Sequence, residues 1–253
     1  GEDTVSSSNE QDITAASLQG LVQANLDEAL DGAMESAYFV VRARRACGRF
    51  PGTPAELERR VERTNKKVER DIKRGRELPE RSNQGVPFAI TANPDIIRAH
   101  LQDWYDACRQ VRGMFSPDFR EQLELAALGG DVMARYLYAV WPPGELDLGR
   151  AFEQQDRWES LAREFSRANL EAGEVAGLMA YADSYRRGSF TSENGDLALA
   201  FGLAALNCGF EPVSMGAFLA DRINRLSSSD KPADQQRLEF VLVEAEGLGY
   251  YCR

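Results

Sequence analysis

The chain has 253 residues, of which 43% are hydrophobic and 28% charged, and a formal net charge of −10 from 30 basic and 40 acidic side chains. That balance supports a globular core. It argues against a nucleic-acid binder, which needs a basic surface to displace counterions, and no apolar run approaches the roughly 18–20 residues that span a bilayer.

The first dozen residues, GEDTVSSSNEQD, are rich in Ser, Asn, Gln and acids and carry no initiator Met. Residues 1–12 are expected to be a disordered leader, as left when a signal peptide is removed. Such a leader also suits a tether after a lipidated cysteine in a precursor, although it contains none. Apolar residues at Ile13, Leu18, Leu21, Val22, Leu26, Leu30, Met34, Ala37, Tyr38 and Val41 predict a helix from Ile13 to Arg45, with Gly32 a candidate break and Gly48 a candidate left-handed terminus. Thr53-Pro54-Ala55-Glu56 is a helix start with a capping box, and the helix should run to about Arg74. Its apolar stripe is thin: Leu57, Val61, Val68 and Ile72. Opposite lie Arg59, Arg63, Lys66, Arg70 and Lys73.

Between Arg42 and Arg81 there are fourteen basic and seven acidic side chains, so this stretch is +7 and the rest of the chain −17. The basic stripe reads in three ways. It is a solvated face laced by Glu62/Lys66 and Glu69/Lys73 pairs, a docking surface for an acidic partner or an anionic membrane face, or simply a stretch that packs near the acidic C-terminal half. Residues 76–92, with Pro79, Gly85 and Pro87, read as a long loop, with the apolar Val86–Ile90 tucked onto the core or, as the alternative, presented as an exposed binding segment.

Asn93-Pro94-Asp95 starts the next helix, which carries Ile96, Ile97, His100, Leu101, Trp104, Tyr105 and Cys108 and ends at Gly113. His100, the only histidine, reads as a packed side chain. Ser116-Pro117 opens a helix to Leu128, and Gly129-Gly130-Asp131 turns it into Val132–Val140. Trp141-Pro142-Pro143-Gly144 reads as a linker and a candidate subdomain boundary. A helix from Asp147 through Leu170 turns at Gly173-Glu174 into Val175–Arg187, which Gly188 ends. Further helices are expected over Leu197–Cys208, Val213–Leu226 after Gly209, and Ala233–Gly247. No strand pattern is present, so the fold reads as all-α: a leader (1–12), an N-terminal helical region (13–115) and a helical-repeat region (116–253). The expected core comprises Leu57, Val61, Trp104, Leu137, Tyr138, Phe152, Trp158, Leu161, Leu178, Tyr181, Phe201 and Phe240.

The glycine corners Gly130, Gly173 and Gly209 are 43 and 36 residues apart, a spacing suited to stacked helix pairs. Small residues follow each corner: Ala134 and Ala139; Ala176, Gly177, Ala180 and Ala182; Gly216, Ala217 and Ala220. Tyr138, Tyr181 and Tyr185 are placed to fill gaps between repeats. The stretches AALGGDVMARYLYAV, EAGEVAGLMAYADSYRRG and GDLALAFGLAALNCG, with Asp196 and Ala200 in the last, resemble the Sel-one-like repeat, a relative of the tetratricopeptide repeat. The resemblance covers about 119–226. It implies a short α-solenoid of two or three degenerate repeats that holds a protein partner, an inference at the level of fold.

The four cysteines, Cys47, Cys108, Cys208 and Cys252, form no CxxC pair, which makes a zinc site improbable. The even count fits two disulfides. Of the three pairings, Cys47–Cys108 with Cys208–Cys252 is favoured because each closes a local pair of helical segments. Disulfides place the protein in an oxidising compartment, periplasmic or secreted; the alternative is four free thiols in a cytosolic protein. No GxSxG, HExxH or phosphate-binding glycine loop is present, so neither an enzyme nor a cofactor is expected. The favoured function is an exported, non-enzymatic adaptor that binds another protein in a bacterial envelope. The alternative is a periplasmic immunity or inhibitor protein that neutralises a secreted toxin or hydrolase, guided by charge. A third reading, from the plentiful carboxylates, is a cell-wall glycan hydrolase.

Overall fold

The computed structural model describes residues 14–74, 93–143, 151–210 and 213–252, with side chains described except at 151–153 and 213–218. The expected leader (1–12), the loop 76–92, Gly144 and the side chains of Phe152, Gly216 and Ala217 lie outside the described residues.

The described chain is all-α: α1 (Ala15–Leu30), α2 (Met34–Gly48), α3 (Pro54–Lys73), α4 (Pro94–Met114), α5 (Pro117–Leu128), α6 (Val132–Ala139), α7 (Ala151–Glu171), α8 (Val175–Arg187), α9 (Gly195–Asn207), α10 (Val213–Ser227) and α11 (Pro232–Leu248), then a 3-10 turn, Gly249–Cys252. These group into two compact units, one of Gly1–Asn25 with Arg42–Ser116 and one of Leu26–Val41 with Pro117–Arg253. The segment Leu26–Val41 therefore groups with the second unit, not with its neighbours in sequence. The Pro142-Pro143 stretch lies within the second unit and does not separate the two. There Trp141 is buried and its ring lies 5.8 Å from that of Phe119.

In the first unit, α3 packs on α4. The capping box forms as expected: the Thr53 side chain accepts from the Glu56 N–H, and the Glu56 carboxylate accepts from the Thr53 and Gly52 N–H groups. Asn93 caps α4 through the Asp95 N–H, and α4 runs through Gly113 to Met114. Leu57, Val61 and Val68 of α3 and Ile97, Leu101, Trp104 and Cys108 of α4 are all buried. Ile72 is instead exposed. Gly48 has no left-handed conformation, and α2 is followed by a bond from the Phe50 N–H to the Cys47 carbonyl.

The second unit is built from helical hairpins. Helices α5 to α9 pack in succession, α6 also meets α8, and α11 lies against α9 and α10. The corners share one geometry. Gly130, Gly173 and Gly209 all have positive φ, where a Cβ is disfavoured. In each, the next residue donates back across the corner: Asp131 to the Ala126 carbonyl, Glu174 to Asn169, and Phe210 to Ala205. This is the Schellman arrangement. Gly32 ends α1 with the same bond pattern, with φ 106° and an Ala33 N–H donating to the Glu28 carbonyl. The helical stretch expected over Ile13–Arg45 is therefore two helices, broken at the candidate Gly32, which takes the left-handed conformation and ends α1.

Ala134, Ala139, Ala176, Ala180 and Ala200 are buried, whereas Ala182 is half-buried and Ala220 exposed. Trp158 is fully buried and its indole N–H donates to the Tyr138 carbonyl, tying α7 to α6. Phe240, expected in the core, is 42% exposed, because α11 turns Val241 and Ala245 inward. Leu161 and Tyr181 are half-buried.

Both disulfides form with the favoured pairing. Cys47–Cys108 has a Cα–Cα distance of 4.8 Å, and Cys208–Cys252 one of 5.7 Å. No helix among the described residues is long and apolar enough to cross a membrane.

Candidate functional site

The first unit contains an open cleft of ≈ 840 Å³, lined by the chain from Gly48 to Gly52 and by Glu56, Arg59, Arg60, Glu62, Arg63 and Arg112. Its floor is set by how α2 hands over to α3. Cys47 is bonded to Cys108 on α4. One turn further along α4, Arg112 donates to the carbonyls of Cys47 (2.8 Å) and Pro51 (3.0 Å) and, more weakly, of Phe50 (3.4 Å). A guanidinium has five donors in a fixed planar fork, which lets one side chain satisfy a run of carbonyls that no helix claims. Arg60 lies over the buried Phe50 ring, 4.7 Å from its centroid, and donates to the Arg49 carbonyl. The α3 cap closes the far end of the loop. Covalent bond, guanidinium fork and capping box together hold this segment in one conformation.

The charge on the walls is strongly one-sided. Five arginines face two glutamates, and both carboxylates are engaged. Glu56 holds the backbone N–H groups of Gly52 and Thr53, which lower its pKa below the usual carboxylate value. Glu62 is bonded to Lys66 at 2.5 Å, and that bond lowers its pKa. Neither has the raised pKa of a general acid. Burial, and then the neighbouring charge of Arg63, pull the Arg60 guanidinium below its ordinary value.

The basic stripe is therefore divided. Arg59 and Arg63 border the cleft, with the Arg63 Nε donating to the Arg59 carbonyl. Lys66 is paired with Glu62, while Arg70 donates to the Lys66 carbonyl and neither Arg70 nor Lys73 lines the cleft. Among the described residues the Glu69/Lys73 pair does not form. Sequence reasoning missed Arg49, Arg60 and Arg112. For Arg112 a signal existed: it follows Cys108 by four residues, so a disulfide to Cys47 brings it to the carbonyls after Cys47. His100 packs edge-on to Trp104, with centroids 6.4 Å apart. Among the described residues no group of three His, Cys, Asp or Glu side chains is placed to hold a metal.

The second unit brings together the residues of the helical hairpins. Glu124 accepts from the Tyr138 hydroxyl at 3.0 Å and is paired with Arg157, linking α5, α6 and α7. Burial, and then the Glu124 charge, raise the Tyr138 pKa. Tyr181 and Tyr185 stack at 6.2 Å, and both meet Phe201 of α9, at 5.3 and 5.5 Å. Asp196, at the start of α9, takes a two-pronged bond from Arg237 of α11. No family model, curated protein or solved structure matches the chain.

Proposed function

We propose that this is an exported, non-enzymatic α-helical repeat protein that binds another protein, an adaptor of a bacterial envelope. The observation that carries this reading is the recurrence of one hairpin corner at Gly130, Gly173 and Gly209. A series of like helical hairpins resembles the Sel-one-like and tetratricopeptide arrays, whose stacked helices offer extended surfaces to partners. The two disulfides support a periplasmic or secreted location, since such bonds persist in oxidising compartments.

The charge distribution favours a second reading, a periplasmic immunity or inhibitor protein. A −17 remainder beside a +7 stretch provides the field that steers fast association with a charged toxin or hydrolase. The deciding experiment is affinity capture from envelope and secreted fractions at low and high salt, with identification of what is retained. One dominant partner supports binding, and an enzyme or toxin in that place moves the assignment to an inhibitor. Absence of any partner at either salt overturns both.

A further inference from the structure

We propose that the arginine cleft of the first unit binds an acidic segment of a partner protein, with its Asp or Glu carboxylates pairing with the guanidinium groups of Arg49, Arg59 and Arg63. The inference deepens the protein-binding reading and rests on it.

Unbalanced charge is the first argument. The two glutamates of the cleft are held by backbone N–H groups and by Lys66, and Arg60 and Arg112 are spent on the Phe50 ring and the loop carbonyls. That leaves the exposed Arg49, Arg59 and Arg63 on the rim. None of the three forms a close ion pair with a carboxylate among the described residues, although the Arg59 charge helps, after the backbone N–H groups, to lower the Glu56 pKa.

Preorganisation is the second. The floor is fixed by the Cys47–Cys108 bond, the Arg112 fork and the α3 cap. A partner therefore orders only the three rim side chains, and less conformational entropy is lost on binding.

The ligand's chemistry follows from what the cleft lacks. A single phosphate is usually cradled by free backbone N–H groups at a helix start or nest. Here those of Gly52, Thr53 and Glu56 are consumed by the capping box, and those of Arg49 and Phe50 by carbonyls at the end of α2. What remains are planar forks on side chains, which pair with carboxylates in two-pronged fashion. Three of them along an open rim suit several carboxylates in one extended segment.

The test is fluorescence anisotropy of a labelled ten-residue polyglutamate peptide with the full, oxidised chain at low and at high salt. Arg59→Glu/Arg63→Glu should weaken binding by about thirtyfold or more, and Arg49→Glu by about tenfold. Arg70→Glu/Lys73→Glu makes the same charge change on the same helix outside the cleft, and should alter binding less than about threefold. All replaced side chains are exposed, and circular dichroism checks folding. Equal losses in the two double variants would reduce the effect to diffuse attraction and overturn the site. Tighter binding of tripolyphosphate, or of phosphatidylglycerol vesicles, than of the peptide would overturn the carboxylate assignment, as would no peptide binding by the wild type. The two readings fail separately. A captured partner fully retained by R59E/R63E sinks the cleft alone, whereas peptide binding with no captured partner sinks the adaptor assignment alone.

Discussion

Gly177→Ala should destabilise the protein although it improves a helix. Gly177 lies in the first turn of α8, where alanine is the better helix former by about 0.5–1 kcal/mol. A Cβ there would stand 2.5 Å from the Leu170 nitrogen, 2.8 Å from its Cα and 3.0 Å from the Asn169 carbonyl carbon. All three are backbone atoms of α7, so no side-chain rotation relieves the contact; α7 and α8 must separate by about 1 Å at their crossing to restore ordinary contact distances. The seat of that crossing is rigid, because Asn169 is fully buried and its side-chain amide donates to the Val132 carbonyl at 2.9 Å. Overpacking costs about 1–3 kcal/mol, and a backbone-to-backbone case belongs at the upper end, so the net loss should be about 2 kcal/mol. For a chain of this size that lowers Tm by roughly 4–8 °C, read by thermal circular dichroism. Gly20→Ala is the control. It is a helical, exposed position with no atom within 4 Å of the added carbon, and the change should stabilise by about 0.5–1 kcal/mol. A G177A protein melting at or above the wild type would refute the close approach of α7 and α8.

Replacing both Cys47 and Cys108 by alanine opens a loop spanning 61 residues and should cost about 4 kcal/mol in urea unfolding; a loss below about 1 kcal/mol would deny the bond its role. Ser184→Ala should cost about 1–3 kcal/mol, because this fully buried hydroxyl accepts from the Phe190 and Thr191 N–H groups after α8; the midpoint of chemical unfolding checks it. Arg112→Met should cost about 2 kcal/mol and speed hydrogen exchange in residues 47–52, since three carbonyls lose one donor; unchanged exchange would mean that the disulfide alone orders the loop. Glu56, Glu58 and Glu62 have folded-state pKa values below the ordinary 4.5, lowered by backbone N–H groups, Arg98 and Lys66 respectively. Their contribution is therefore fully present above the unfolded pKa and lost as pH falls through the folded values. Melts in acid should show stability falling below pH about 4.5, and E62Q should flatten part of that slope.

The hairpin corners were legible because glycine is the residue that takes positive φ at no steric cost, and the apolar spacing changes phase across it. Val175–Arg187 could be read to the residue, since Gly173 and Gly188 bracket it. Gly32 was harder: apolar spacing of three or four continues across it, so periodicity argued for one helix while the backbone took the corner. Phe240 failed for a related reason. Along α11, Phe240, Val241, Leu242 and Val243 form an apolar run, which has no phase and gives no sign that Val241 alone is buried. The cysteine pairing was accessible from proximity along the chain, but the cleft was not. It arises where Arg112, about sixty residues downstream, reaches the loop before α3, and the only sign of that meeting is the four-residue step from Cys108, which becomes readable once the cysteine pairing is accepted. On α3, the arginines differ from Lys66 only in what lies opposite them, information that sequence spacing does not carry.

The grouping of Leu26–Val41 with Pro117–Arg253 bears on how the chain acquires its structure. This segment is synthesised early, yet everything it groups with is made after residue 116. At about 5–20 residues per second, Ala37, Tyr38 and Val40 wait roughly 4–15 s for the first of those residues to be added. During that interval their apolar surface is open to chaperones or to neighbouring nascent chains, and the delay is written into the topology, whatever the stability of the finished fold. A chain ending at Ser116 would keep this segment without its companions for good, so the first unit should be hard to produce alone in soluble form, while the second could be assembled from two separate pieces.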